Sequence, residues 1–138
     1  VRMAEMIKWN LGSAFPVFDE EIEMTVKGLD LVGATPRAVT VNSEEIREAL
    51  SQPVNDIIMA VRQTLEGTPA ELAADIIDRG IVMSGGGSRL RGFDQRIMIE
   101  TNLPVRPDEE PMTCVVRGTG KIIENYAHYE KMLVVLRD

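Results

Sequence analysis

One stretch in the second half of the chain restricts the fold more than any other: Ile81-Val82-Met83-Ser84-Gly85-Gly86-Gly87-Ser88-Arg89-Leu90-Arg91-Gly92-Phe93. Ile81 to Met83 form a short, unbroken apolar run of the kind that makes a buried strand. Three consecutive glycines follow, which permit positive φ and remove every Cβ, so a flat ligand can approach the main chain closely. Leu90, Phe93 and Ile97 then recur at helical spacing, which predicts a helix over residues 89–100. A glycine-rich turn between a strand end and a helix start is where open α/β sheets bind ligands, with backbone N–H groups free for polar atoms. The turn is neither a Walker loop, since no Gly-Lys-Ser/Thr follows, nor a G-x-G-x-x-G fingerprint with its acidic partner. From the pattern alone, a tight structural turn that binds nothing stays open beside nucleotide contact.

A chain of 138 residues buries a real core as one domain or two small lobes. Its net charge of −7, with no Lys/Arg cluster, argues against a nucleic-acid partner. Cys114 and His128 are each the only residue of their type, which excludes an intrachain disulfide and a His/Cys metal cluster. A single cysteine is compatible with a reducing, cytoplasmic location. No apolar run approaches the ~20 residues of a membrane-spanning helix. The chain opens on Val1 with a helical pattern under way by Met3, so a piece of a longer protein is expected.

Residues 2–14 read as a helix with Met3, Ile7 and Leu11 on one stripe. Glu5 and Lys8 share another face, and taken alone they read as a solvated ion pair. After a break at Gly12 and Pro16, Glu21 to Lys27 alternates with Ile22, Met24 and Val26 on one face, as in a half-buried strand. Arg37 to Val41 alternates again, so the two runs predict an antiparallel pair that is too small to stand alone. Asn42 with Glu45 forms a capping box for a short helix, and Gln52-Pro53 restarts a second one. Val54, Ile57, Ile58, Val61 and Leu65 give that second helix its buried stripe. Thr68-Pro69-Ala70-Glu71 supplies cap, proline and capping glutamate for a third helix, with Leu72, Ala73 and Ile76 facing inward. Glu44, Glu45, Glu48, Asp56 and Asp75 read as solvated helix faces, not as catalytic pairs.

Leu103-Pro104-Val105-Arg106 is a short extended piece that Pro104 confines to an edge or a very short strand. Residues from Thr113 onward read as a helix despite Gly118 and Gly120. Tyr126, Tyr129, Met132, Leu133 and Leu136 continue a helical stripe that lacks the basic face of a membrane-surface helix. Cys114 reads as buried packing and His128 as exposed.

These residues together resemble the MreB family of bacterial actin-like proteins. The resemblance rests on Ala4-Glu5-Met6-Ile7-Lys8 with Gly12-Ser13-Ala14, on the stretch from Ser43 to Leu50 with Pro53, and on Thr68 to Val82. It continues through Gly85-Gly86-Gly87, Leu90-Arg91-Gly92, Leu103-Pro104-Val105 and Pro111 to Val115. It covers residues 2 to about 125 in order, and is weakest from Ala127 to Asp138.

The resemblance implies an α/β chain: the second lobe of an actin-like, ribonuclease H-like ATPase fold, with a small mixed α+β outer subdomain inserted. Residues 1–65 would form that outer subdomain. Residues 66–125 would form the rest of the inner one, with an adenosine-contacting glycine loop, and residues 126–138 a C-terminal helix. The cofactor implied is ATP, as Mg-ATP in the intact parent. Its adenosine contacts carry over to Glu5, Met6, Ile7 and Lys8, whose polar pair would meet ribose and base, and to Gly85, Gly86, Gly87 and Ser88. Within the resemblance Glu5 and Lys8 are therefore site residues. Alanine is common in the family after the glycines, and the hydroxyl of Ser88 would add a contact.

The phosphate-binding glycine hairpins, their acidic residues and the first lobe have no counterpart in these residues. No catalytic residue and no metal ligand is therefore expected here, and the isolated chain is expected to be catalytically incompetent. The parent would polymerise into filaments at the inner face of the plasma membrane, with itself and membrane proteins of the cell-shape machinery as partners. Its membrane contact would run through parts not present here. The alternative is a nucleotide-independent interaction module, acting through the acidic outer subdomain or the C-terminal helix. Glycine-rich phosphate hairpins encoded upstream in the parent gene would favour the ATPase.

Overall fold

The computed structural model describes residues 2–130. Helix α1 (Arg2–Leu11) leads through a loop to the antiparallel hairpin β1 (Glu23–Leu29) and β2 (Pro36–Asn42), in which Val26 pairs with Val39 and Met24 with Val41. Helices α2 (Ser43–Glu66) and α3 (Ala70–Arg79) follow, then strand β3 (Ile81–Met83) and a 3-10 turn (Gly86–Arg89). Helix α4 (Phe93–Thr101), strand β4 (Val105–Pro107), helix α5 (Cys114–Glu124) and a short α6 (Tyr126–Tyr129) complete the described residues. Strands β3 and β4 pair in parallel, with α4 as the crossover between them. The helical stripe expected at Met132, Leu133 and Leu136 lies outside the described residues.

The core is the place where α2, α4 and the parallel pair meet. Val54 and Ile58 of α2, Met83 of β3, Phe93 and Ile97 of α4, and Val105 of β4 are buried together with Ala14. Leu50, Val61, Ile81 and Leu90 pack around them. Met83 and Val105 face this core, while Val82 is about half exposed. The expectation of a wholly buried β3 is corrected accordingly: alternate side chains of a strand point to opposite faces, and only one face is covered among the described residues.

The two helices expected to meet at Pro53 are one continuous helix. Proline lacks the N–H that the Ala49 carbonyl would receive, but both residues are exposed, so water is available to that carbonyl. The apolar stripe runs straight across the proline through Ile46, Leu50, Val54 and Ile58, and tertiary packing of that stripe overrides the local break. At the start of α2 the capping box forms as expected: Asn42 Oδ1 accepts from the Glu45 N–H at 2.9 Å, and the Glu45 carboxylate accepts from the Asn42 N–H at 3.0 Å.

Two other expectations are corrected nearby. Thr68 does not cap α3; its hydroxyl donates back to the Thr64 carbonyl at 2.7 Å, and Pro69 occupies the cap position without a side-chain bond. Leu72 does not face inward but is more than half exposed, because no described element is layered over that side of α3.

A partly buried polar knot ties the hairpin to α2. The fully buried Ser43 hydroxyl donates to the Glu21 carboxylate and accepts from the Ile22 N–H at 2.9 Å. Arg47, one helical turn on, pairs with the same carboxylate at 2.6 Å. The Arg47 guanidinium and then the Ser43 hydroxyl hold the Glu21 carboxyl below its ordinary pKa.

Candidate functional site

The C-terminal end of α1 and the glycine turn are far apart in sequence, and Arg91 joins them. Its Nη1 donates to the carbonyls of Trp9 at 2.9 Å and Asn10 at 3.1 Å. These are carbonyls that the last turn of a helix leaves without intrahelical partners. The Ala14 N–H donates to the Arg91 carbonyl at 2.8 Å, and Ser13 and Arg91 form a parallel bridge. That bridge explains why α4 starts at Phe93 and not at residue 89, as its periodicity suggested. The backbone first extends to pair with Ser13, and only then coils.

Between the two joined segments lies a cavity of about 610 Å³. Glu5, Lys8 and Trp9 of α1 and Gly86, Gly87 and Arg89 of the glycine turn line it. Leu50, Val54 and Ile57 of α2, with Phe93, supply its apolar side. Four of the eight residues singled out from sequence border this cavity: Glu5, Lys8, Gly86 and Gly87. Met6 and Ile7 do not; they sit on other faces of α1. Gly85 and Ser88 serve the turn itself. Gly85 has a left-handed φ of 78°, which suits glycine, and its N–H donates to the Pro111 carbonyl at 2.7 Å. The Ser88 hydroxyl donates to the Gly85 carbonyl at 2.7 Å, so its proton is engaged within the turn and is not offered to a ligand.

Glu5 and Lys8 pair at 2.8 Å, and Trp9 Nε1 donates to the same Glu5 carboxylate at 3.1 Å. The Lys8 hydrogen bond, with help from Trp9, holds the Glu5 carboxyl below its ordinary pKa. A carboxylate kept ionised beside an apolar cavity is an acceptor for hydroxyl groups, and Lys8 is a donor next to it.

Gly87 is the informative glycine. It needs no positive φ, and a Cβ added to it would meet nothing within 4 Å. Nothing among the described residues therefore demands glycine at this position, and the missing side chain leaves the cavity wall open as bare backbone.

Sequence reasoning missed the α2 wall, together with Trp9 and Arg89. One signal was present: the stripe of α2 is wider than its core needs, and Ile57, which belongs to it, is 48 % exposed and borders the cavity. Cys114, expected to be buried, is half-buried, with Sγ 3.5 Å from the Pro111 carbonyl.

The sequence matches the MreB/Mbl protein family over residues 1–131. It is 47% identical over 124 residues to the cell shape-determining protein Mbl of Bacillus subtilis, covering 90% of this chain and 37% of that protein. It is 50% identical over 121 residues to the cell shape-determining protein MreB of Escherichia coli K12, covering 88% and 35% respectively. The chain thus spans little more than a third of the curated relatives it matches. Among solved structures, MreB5 of Spiroplasma citri bound to ADP superposes with a TM-score of 0.84 at 33% identity, over 96% of this chain and 40% of that one. The same protein bound to AMPPNP gives 0.84 at 32%. The fold is the α/β actin-like fold of these proteins, and the chain belongs to the MreB/Mbl family.

Proposed function

We propose that the protein is an ATP-binding, actin-like cell-shape protein, and that the cavity between α1 and the glycine turn receives the adenosine end of the nucleotide. The observation that carries this reading is Gly87: a glycine that nothing among the described residues requires, on the wall of a cavity large enough to admit a purine nucleoside. The residues present suit that group. Bare backbone at Gly86 and Gly87 admits a flat base, the apolar α2 wall excludes water, and the Glu5–Lys8 pair offers an acceptor and a donor to ribose hydroxyls. Further support comes from the Spiroplasma citri relative, whose structures hold ADP and AMPPNP.

In this reading residues 1–65 are the small outer subdomain of the second lobe, and residues 66–125 complete the inner one. Met6, Ile7, Gly85 and Ser88 shape the site from behind. The phosphate- and metal-holding groups belong to the first lobe of the whole protein, so the residues described here bind but do not hydrolyse. The whole protein polymerises with copies of itself into filaments at the cytoplasmic face of the membrane. There it meets membrane proteins of the cell-shape machinery and guides wall synthesis.

The test is a titration with ATP, adenosine and tripolyphosphate, followed by amide NMR shifts and by the fluorescence of Trp9. ATP and adenosine are expected to move Glu5, Lys8, Gly86 and Gly87 alike, and tripolyphosphate to move none of them. The Gly87→Ala variant is expected to keep its fold, gaining about 0.4–1 kcal/mol from reduced chain entropy. Its nucleotide affinity is expected to fall at least about fivefold, roughly 1 kcal/mol. Unchanged affinity in that variant, or no shift at millimolar nucleotide, overturns the reading.

A further inference from the structure

Helix α1 brings Glu5, Lys8 and Trp9 to the cavity, yet little of it is gripped by the rest of the chain. Among the described residues it buries only Leu11, at its very end. The Gly12 N–H donates to the Lys8 carbonyl at 2.9 Å, which leaves the carbonyls of Trp9 and Asn10 as the acceptors that Arg91 Nη1 fills. The main chain beyond the helix is fixed separately. Ser13 and Ala14 are buried, the Ala14 N–H donates to the Arg91 carbonyl, and Gly92, at φ 69°, lets Phe15 and Val17 come to where a Cβ would collide. The Arg91 side chain therefore does what this backbone junction does not. It reaches back along α1 and fixes the turn that carries Lys8 and Trp9 relative to Gly86 and Gly87. Arg91 borders the cavity, but Nη1 is committed to main-chain carbonyls and the guanidinium carbon stands 5.6 Å from the Phe18 ring.

We propose that Arg91 is a positioning residue: it holds α1 and the glycine turn at the spacing a nucleotide needs, and its loss weakens binding although it gives the nucleotide no hydrogen bond. The inference rests on the reading that a nucleotide occupies the cavity. A ligand that must touch both segments binds only the fraction of molecules in which the two are correctly spaced. Its apparent dissociation constant rises by the inverse of that fraction. Without the Arg91 side chain, α1 is anchored at Leu11 and at the Ser13 bridge, both at one end of it, and its earlier turns swing about that end. A competent fraction of about one tenth then raises Kd about tenfold. Lysine keeps the charge but not the planar fork, so it restores the spacing only in part.

The experiment is calorimetric titration of the full chain with adenosine and with ATP, on the unmodified protein and on Arg91→Ala, Arg91→Lys and Glu21→Gln. Each is titrated well below its thermal midpoint, with circular dichroism confirming that it is folded, so that lost stability alone does not change the affinity. Glu21→Gln loosens the knot between the hairpin and α2, away from the cavity, and controls for destabilisation as such. Arg91→Ala is expected to weaken adenosine and ATP by the same factor, about tenfold, with Arg91→Lys in between and Glu21→Gln unchanged. Arg91→Lys keeps the test open should Arg91→Ala not fold, since parental affinity in the lysine variant overturns the proposal. Unchanged affinity in Arg91→Ala does the same. So does a loss confined to ATP, which would make Arg91 a phosphate ligand, or an equal loss in Glu21→Gln. Each of these leaves nucleotide binding in place. Failure of the unmodified protein to bind either ligand overturns the nucleotide reading itself, and the role of Arg91 with it.

Discussion

Replacing Arg91 by alanine removes the clasp between α1 and the glycine turn, and its effect can be worked from the geometry. Nη1 has two hydrogens, so its three carbonyl neighbours at 2.9, 3.1 and 3.4 Å amount to two good bonds and one marginal one. A hydrogen bond to a charged group contributes about 1.5–3 kcal/mol in protected settings. Arg91 is exposed, so roughly 1 kcal/mol for each of the two good bonds is appropriate after solvent screening. A cation at a helix C-terminus adds about 0.3–1 kcal/mol. The contact with the Phe18 ring, 5.6 Å from the guanidinium carbon, adds about 0.5 kcal/mol. The expected loss is therefore about 3–3.5 kcal/mol, below the ~5–15 kcal/mol of an ordinary domain, so the variant still folds at 25 °C. At about 3 °C per kcal/mol for a chain of this size, the thermal midpoint should fall by roughly 9–11 °C. Circular dichroism at 222 nm reads it directly. Arg91→Lys keeps the charge at the helix end but offers a point ammonium in place of a fork, and should recover less than half of the loss. A midpoint within about 2 °C of the parent in Arg91→Ala would show that the clasp contributes nothing, and that α1 is held by its apolar face alone.

Two further substitutions probe the frame around the site. In Gly80→Ala a methyl group enters a backbone with φ 73° and collides with the Pro104 carbonyl oxygen, beside the Ile81–Pro104 hydrogen bond that starts the parallel pair. Strain of about 1–3 kcal/mol plus displacement of β4 should lower the urea midpoint substantially; an unchanged midpoint would refute the close approach. Glu21 supplies a pH test. Its folded pKa is depressed by Arg47 and Ser43, so the stability it contributes is fully present above the unfolded glutamate value of about 4.3 and is lost as pH falls through the lower folded value. Stability of Glu21→Gln should therefore be lower near pH 7 and fall less steeply below about pH 4.3. Parallel acid profiles for the two proteins would remove Glu21 from the account.

The sequence by itself determined the local pieces of this protein. The alternation of Met24 and Val26, the capping box of Asn42 and Glu45 and the apolar run Ile81–Met83 are written in spacing and in backbone chemistry. Each of them appears where that chemistry put it. Gly86 and Gly87 were legible as a candidate ligand turn in the same way, because they follow a strand, whereas Glu5 and Lys8 read by spacing as a solvated pair and entered the candidate site only through the family resemblance. Only the tertiary structure decided what depends on elements distant in the chain. Pro53 lies inside a continuous helix because Leu50, Val54 and Ile58, on either side of it, pack into the core together, and packing outweighs one absent N–H. Helix α4 begins late because Arg91 first pairs with Ser13, a residue of the far end of the chain. Trp9 and Arg89, ordinary surface residues on paper, meet as a cation and an aromatic ring at the cavity only when α1 is clasped to the glycine turn. Periodicity reports which face of one element is apolar; it carries no information about which other element that face will meet, and the site is made of such meetings.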